Sequence, residues 1–135
     1  MPFSGPVRTE WIADGIHMRV LDEVIYTDAA GRQWKVPAGF VTDGASIPPE
    51  LWSLIGSPFT GEYRVAAVFH DAAYATLGVA RNDADNMLRD AALELGCEHW
   101  RADAIYEAVR LGGLDAYVDD QRAAAQAMQE TTVPT

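Results

Sequence analysis

The chain changes its hydrophobic period near Pro48, and that change restricts the fold more than any other feature of the sequence. Before it, short runs such as VRTEWI, HMRVLDEVIYTD and QWKVP alternate and turn. Val20, Val24, Ile25, Tyr26 and Thr27 favour strand, and Ala29-Ala30-Gly31 closes a hairpin onto Gln33 to Val36. After Pro48, apolar residues return every three to four positions, the spacing of one helix face. Strands first and helices second, without interleaving, imply an α+β protein. The expected architecture is a small N-terminal antiparallel β-sheet or hairpin followed by a bundle of about four helices.

Pro37-Ala38-Gly39 breaks the last strand, and GFVTDGASIPPELW reads as a structured loop. PPELWSLIG then forms a short helix with proline in its first turn, and Thr60-Gly61-Glu62 opens a longer one reaching about Thr76. Asn82 or Asp83 caps the next, whose Ala84, Met87, Leu88, Ala91 and Leu95 recur until Gly96. A third long helix runs from about Trp100 to Leu111, and LDAYVDDQRAAAQAMQ forms a terminal one. With 135 residues the chain makes a single domain. Residues 1–47 are its β-rich part and structured loop, 48–128 its helical part, and 129–135 a fraying tail.

Net charge is −10, with a sequence pI near 4.5, and no Lys/Arg cluster overrides that field locally. Nucleic acid is therefore excluded as an expected partner. The same field disfavours anionic lipid, although a divalent cation held by carboxylates offsets it locally. Cys97 is the only cysteine, so no intrachain disulfide forms and a reducing interior suits the chain. MPFSGPVRTEWIADG lacks the basic start and apolar stretch of a signal peptide, and no segment has the apolar length of a membrane span.

In VAAVFHDAAYA, Val65 to Ala75, the apolar run is broken by His70 and Asp71. Ala67, His70 and Tyr74 share one helix face with Tyr63, while Val65, Val68, Phe69 and Ala72 make a broader apolar surface. The connection Leu77 to Ala80 is short, so the two flanking helices are antiparallel neighbours and Asp85 comes within about a turn of His70. An inward carboxylate facing an inward imidazole fixes the histidine tautomer and supports it as a general base. Asp71 is rotated by about 100° from His70, free to face another ligand such as a hard cation beside a base-activated water.

His70-Asp71-x-x-Tyr74 followed by Ala84-Asp85 resembles the two-helix core of the secreted A-two type phospholipases, including their bacterial and parvoviral branches. The resemblance implies His70 as the base that activates water, Asp85 as the residue that orients it, Tyr74 as support for that network, and Asp71 as a calcium ligand. It further implies a hydrolase of phospholipid esters dependent on calcium or another divalent cation, with a phospholipid or membrane surface as partner. The disulfides of those enzymes are missing here. Their glycine-rich calcium loop has its nearest counterpart in Thr42-Asp43-Gly44-Ala45-Ser46, which puts Asp43 forward as a second metal ligand.

A second resemblance covers more of the chain. GFVTDGASIP, GEYRVAAVFHDAAY, R-x-x-A-D over Arg81 to Asp85, and IYEAVRLGG together are similar to a family of small phage and prophage proteins of unknown function, from about Val36 to Gly113. It implies a phage protein in the host bacterial cytoplasm during infection, incorporated in the virion or acting on a host partner, with other virion proteins as partners.

Each of these residues has a plainer explanation. A histidine on an apolar helix is more often a satisfied core residue than a catalyst. With Asn82 as cap, Asp85 falls at the third helical position, where exposed N–H groups favour a carboxylate. Asp43 and Ser46 would cap the turn before Ile47-Pro48, and Ser46 lies in A-S-I-P, without the G-x-S-x-G setting of an activated nucleophile. Arg81 pairs with Asp85 or Asp71, or binds a substrate phosphate. Trp52, Leu54, Ile55 and Phe59 form core beneath a loop, or else a lipid-contacting patch. On the plainer side the whole cluster is a brace in a non-catalytic virion or tail-associated protein.

Overall fold

The computed structural model describes residues 2–13, 17–42 and 64–132. Five short strands come first: β1 (Thr9–Trp11), β2 (Met18–Val20), β3 (Val24–Thr27), β4 (Gln33–Val36) and β5 (Val41–Thr42). Four helices follow: α1 (Arg64–Tyr74), α2 (Arg81–Glu94), α3 (His99–Gly112) and α4 (Leu114–Thr132). The expected α+β order holds. The short helix expected over PPELWSLIG, the loop residues Asp43 and Ser46, and Trp52, Leu54, Ile55 and Phe59 lie outside the described residues.

The expected sheet or hairpin is one of each. A three-stranded antiparallel sheet has the order β1-β2-β5, and β3-β4 stands beside it as a hairpin. Both edges of β2 are occupied, by β1 with Glu10 opposite Arg19 and by β5 with Arg19 opposite Val41, so β3 does not pair with the strand that precedes it. Chain reversal at Pro37-Ala38-Gly39 delivers β5, through Phe40 N–H to Pro37 O at 3.2 Å and Gly39 N–H to Val20 O at 2.7 Å. In the hairpin turn Asp28 Oδ1 accepts from Ala30 N–H at 3.0 Å and Arg32 N–H at 2.9 Å. Gly31 closes that turn at φ 87°, a conformation other side chains resist.

Alternation in the strands sends Val20, Val24, Tyr26, Trp34 and Val36 inward. Phe3 stacks on Tyr26 with centroids 4.7 Å apart, and Phe69 of α1 meets both edge-on at 5.7 and 6.1 Å. This aromatic cluster joins the β-part to α1, which also packs on α2 and α4. α1 and α2 pack on each other and both are rich in buried alanine, Ala66, Ala67, Ala72 and Ala73 in the one and Ala84, Ala91 and Ala92 in the other.

One sequence expectation about a helix end is corrected. α2 begins at Arg81 with Ala80 as N-cap and no side-chain cap, so neither Asn82 nor Asp83 caps it. Asp83 occupies the third helical position instead, exposed and paired with Arg32 at 3.0 Å. α4 is described to Thr132, its alanine-rich turns favouring helix. Among the described residues no helix is long and apolar enough to cross a membrane.

Candidate functional site

α1 carries His70 and Tyr74 one turn apart, with ring centroids 4.1 Å from each other. After α1 the chain turns through Ala75 to Ala80 and brings Asp85 of α2 back against them. That turn is anchored from α4, where Gln121 Nε2 donates to Tyr74 O at 2.9 Å and Thr76 O at 2.8 Å while its Oε1 accepts from Gly78 N–H at 3.0 Å. His70 and Asp85 are both fully buried, the deepest polar side chains of the molecule together with Thr42 among the described residues.

Asp85 is the hub. Its Oδ1 accepts from His70 Nε2 at 2.7 Å and Tyr74 Oη at 2.5 Å, and its Oδ2 accepts from Arg110 Nη1 at 2.8 Å. Arg81 Nε lies 3.7 Å from Oδ2, one turn away on the same helix. Burial by itself pushes the Asp85 carboxyl up, but the bonds from His70, Tyr74 and Arg110 outweigh it and hold the group below the usual carboxylate range. The same contact, led by the hydrogen bond, raises the Arg110 guanidinium. Burial and then the bond to Asp85 raise the Tyr74 phenol, so it stays a donor.

The tautomer of His70 follows. An ionised carboxylate only accepts, so Nε2 carries the proton of this bond, and in the neutral form of the imidazole the lone pair is then on Nδ1. Nδ1 is buried and has no hydrogen-bond partner among the described residues.

Asp71 faces the β-part, as its rotation from His70 requires. Thr42 Oγ1 of β5 donates to Asp71 Oδ2 at 2.7 Å, tying strand to helix. Calcium takes six to eight oxygens, and the described residues supply here one carboxylate and one hydroxyl. No group of three or more His, Cys, Asp or Glu side chains able to hold a metal occurs among the described residues. Asp43, which follows Thr42 in sequence, lies outside them. The described donors alone thus do not make a calcium site.

The expected face is assembled: His70, Tyr74 and Asp85 meet, and Arg81 joins Asp85 in the structural role expected of it. Arg81 also ties down the end of α3, donating from Nη2 to Val109 O at 2.9 Å and Arg110 O at 2.8 Å. The alternative account of Asp85 as a third-position carboxylate fails, because α2 starts earlier and Asp85 lies past its first turn, buried. Sequence reasoning missed Arg110, Gly113 and Tyr117. Tyr117 packs edge-on against Tyr74 at 5.1 Å. A Cβ on Gly113 would stand 2.6 Å from Val109 O and 2.9 Å from Tyr74 Oη, so only glycine admits this approach of α4 to the site. Arg110 and Gly113 both lie in IYEAVRLGG, a block quoted above for its resemblance only, and that block was the available signal.

Comparison with known proteins adds a family and no activity. The family model described as "Protein of unknown function (DUF1353)" matches residues 18–109. Two similar proteins come from Sinorhizobium fredii (strain NBRC 101917 / NGR234). "Uncharacterized protein y4jT" is 39% identical over 90 residues, 67% of this chain and 27% of its own length. "Uncharacterized protein y4iH" is 41% identical over 58 residues, 43% of this chain and 24% of its own. The matched stretch thus spans about a quarter of each relative's length. No solved structure matches the chain.

Proposed function

The chain belongs to the DUF1353 family of proteins of unknown function, and from that premise we propose a phage-encoded hydrolase of phospholipid esters in which His70 is the base. One observation carries the reading: His70 holds a buried nitrogen, Nδ1, that has no partner among the described residues, while its other nitrogen is fixed by Asp85. A buried polar atom left unpaired costs about 1–3 kcal/mol. A cluster that merely joined helices would have no reason to retain that cost, whereas a base must keep its lone pair free.

In this reaction water gives a proton to Nδ1 as its oxygen attacks the ester carbonyl. The imidazolium formed is stabilised by Asp85, and it returns the proton to the departing alcohol. Tyr74 and Arg110 hold Asp85 ionised and in place. Because His70 is fully buried, turnover includes a local opening that admits water and ester. Asp71 and Asp43 are the carboxylates that would hold calcium or another divalent cation, which would polarise the ester carbonyl.

The test is fatty-acid release from mixed phosphatidylglycerol and phosphatidylethanolamine vesicles, with calcium and with chelator. Release lost in His70→Ala and sharply reduced in Asp85→Asn supports the proposal. A folded wild type that releases nothing under either condition overturns it.

A second reading has its own observation: Asp85 is gripped from three helices, by His70 and Tyr74 of α1, Arg81 of α2 and Arg110 of α3. That is the pattern of a brace, in a non-catalytic virion or tail-associated protein made in the host cytoplasm. This reading expects co-purification with phage particles and no response of stability to added cations.

A further inference from the structure

A cavity lies apart from the His70 cluster. It measures about 290 Å³ and opens between β4, the Phe69–Ala73 side of α1 and the turn that follows α1. None of His70, Tyr74, Asp85 or Arg110 lines it.

Its chemistry is unlike that of the molecule as a whole. The chain has 20 acidic and 10 basic residues, yet this cleft presents Arg32 and Lys35 and no carboxylate among its described lining residues. The floor is apolar, built from Phe69, Ala73 and Trp34, each at most 6% exposed, with Val79 beside them. Arg32 is held in place before any ligand arrives: its guanidinium lies 4.1 Å over the Trp34 ring and bonds Asp83 at 3.0 Å. Among the described residues Lys35 has an exposed pairing with Glu23 at 3.8 Å. Exposed pairs of this kind are weak and screened by water, so both cations remain able to receive an anion. The turn forming the far wall is fixed by Gln121 at Thr76 and Gly78, so the cleft has a rigid side.

We infer that this cleft binds a small amphipathic anion, its carboxylate or phosphate head between Arg32 and Lys35 and its short apolar body on Phe69, Ala73 and Val79. The volume sets the size, since about 290 Å³ is at the lower end of small-molecule pockets and too little for a whole phospholipid or a folded partner. The planar fork of Arg32 suits a bidentate carboxylate or phosphate, and Lys35 adds a second positive charge. The site stands independently of the hydrolase reading.

Titration of the full chain with hexanoate and with hexyl phosphate, followed by amide and indole NMR, tests it, with hexanol as the uncharged control. Both anions should shift the Trp34 indole and Thr76 to Val79 amide signals. Hexanol should bind about tenfold more weakly, and Arg32→Gln or Lys35→Gln should weaken the anions by about the same factor. Asp83→Asn, which releases Arg32, should tighten them. Tighter binding of hexanoate assigns a carboxylic acid ligand, and tighter binding of hexyl phosphate a phosphate monoester. Equal binding of hexanol, unchanged affinity in both variants, or no shift at Trp34 each overturns the inference.

Discussion

Two arginine–aspartate pairs, one in each half of the molecule, look alike on distance alone. In the β-part Arg8 Nε meets Asp22 at 2.6 Å; in the helical part Arg110 meets Asp85 at 2.8 Å. The exposed pair has more than half of each side chain in water, whereas the Asp85 side chain has none. Both carboxyls are held below their usual range, Asp22 chiefly by the bond from Arg8, Asp85 by several bonds working against its burial. Water offers Asp22 replacement partners whenever Arg8 leaves; Asp85 has none. Proximity is therefore a poor measure of what an ion pair contributes, and burial with full hydrogen bonding is the better one.

The sharpest way to break this contrast is Asp85→Ala, which strands His70, Tyr74 and Arg110 around an empty acceptor. Urea unfolding should show a loss of about 3–5 kcal/mol, as for a buried pair stripped of one partner. A loss no greater than that of a surface change would make the cluster solvent-like and the contrast void. Tyr74→Phe keeps the ring contact with Tyr117 and removes one bond to the carboxylate, which should cost about 1.5–3 kcal/mol in the same experiment. Gly113→Ala pushes a methyl group toward Val109 O and Tyr74 Oη, and about 1–3 kcal/mol of destabilisation is expected.

Acidity separates the two regions further. Asp85 has a folded-state pKa below its ordinary 3.8. Its contribution is fully present above that value and disappears as pH falls through the lower folded value. An acid unfolding series should therefore show a component that Asp85→Asn abolishes. At the alkaline end the sign reverses. Burial, then the charges of Asp90, Glu94 and Asp28, push the Tyr26 phenol up to about 12, so the fold loses stability as pH rises from the ordinary 10 toward that value, and Tyr26→Phe should flatten the loss. The smallest effect belongs to the exposed pair: Asp22→Asn should leave the urea midpoint unchanged within error.

The helix hairpin and its polar pair were legible because periodicity is local. Spacings of three and four put His70 and Tyr74 on one face, and a short connection forces the next helix back along the first, so Asp85 could be placed from sequence. Arg110 was not legible, since it arrives from a third helix whose rotation depends on how α3 packs on α2. The extra partner changes the chemistry: the carboxylate beside His70 is shared with a guanidinium, and the resemblance to the phospholipase hairpin did not contain that. The start of α2 was misplaced for a related reason. Asn82 and Asp83 are good capping residues, but Arg81 is drawn into the helix to reach Asp85 and the carbonyls that end α3.

By itself the sequence determined the class of the fold, the succession of strands and helices, and the facing of His70, Tyr74 and Asp85, because each follows from backbone periods that act over a few residues. Only the tertiary structure decided that β2 is flanked on both sides and leaves β3-β4 a separate hairpin. It alone turned Asp71 toward Thr42, surrounded Asp85 with hydrogen-bond and ion-pair partners from three helices, left Nδ1 of His70 without a partner among the described residues, and opened a basic cleft on an acidic protein. Those outcomes depend on contacts between residues far apart in the chain, whose rotation and depth are set only when all the packed faces compete for the same interior.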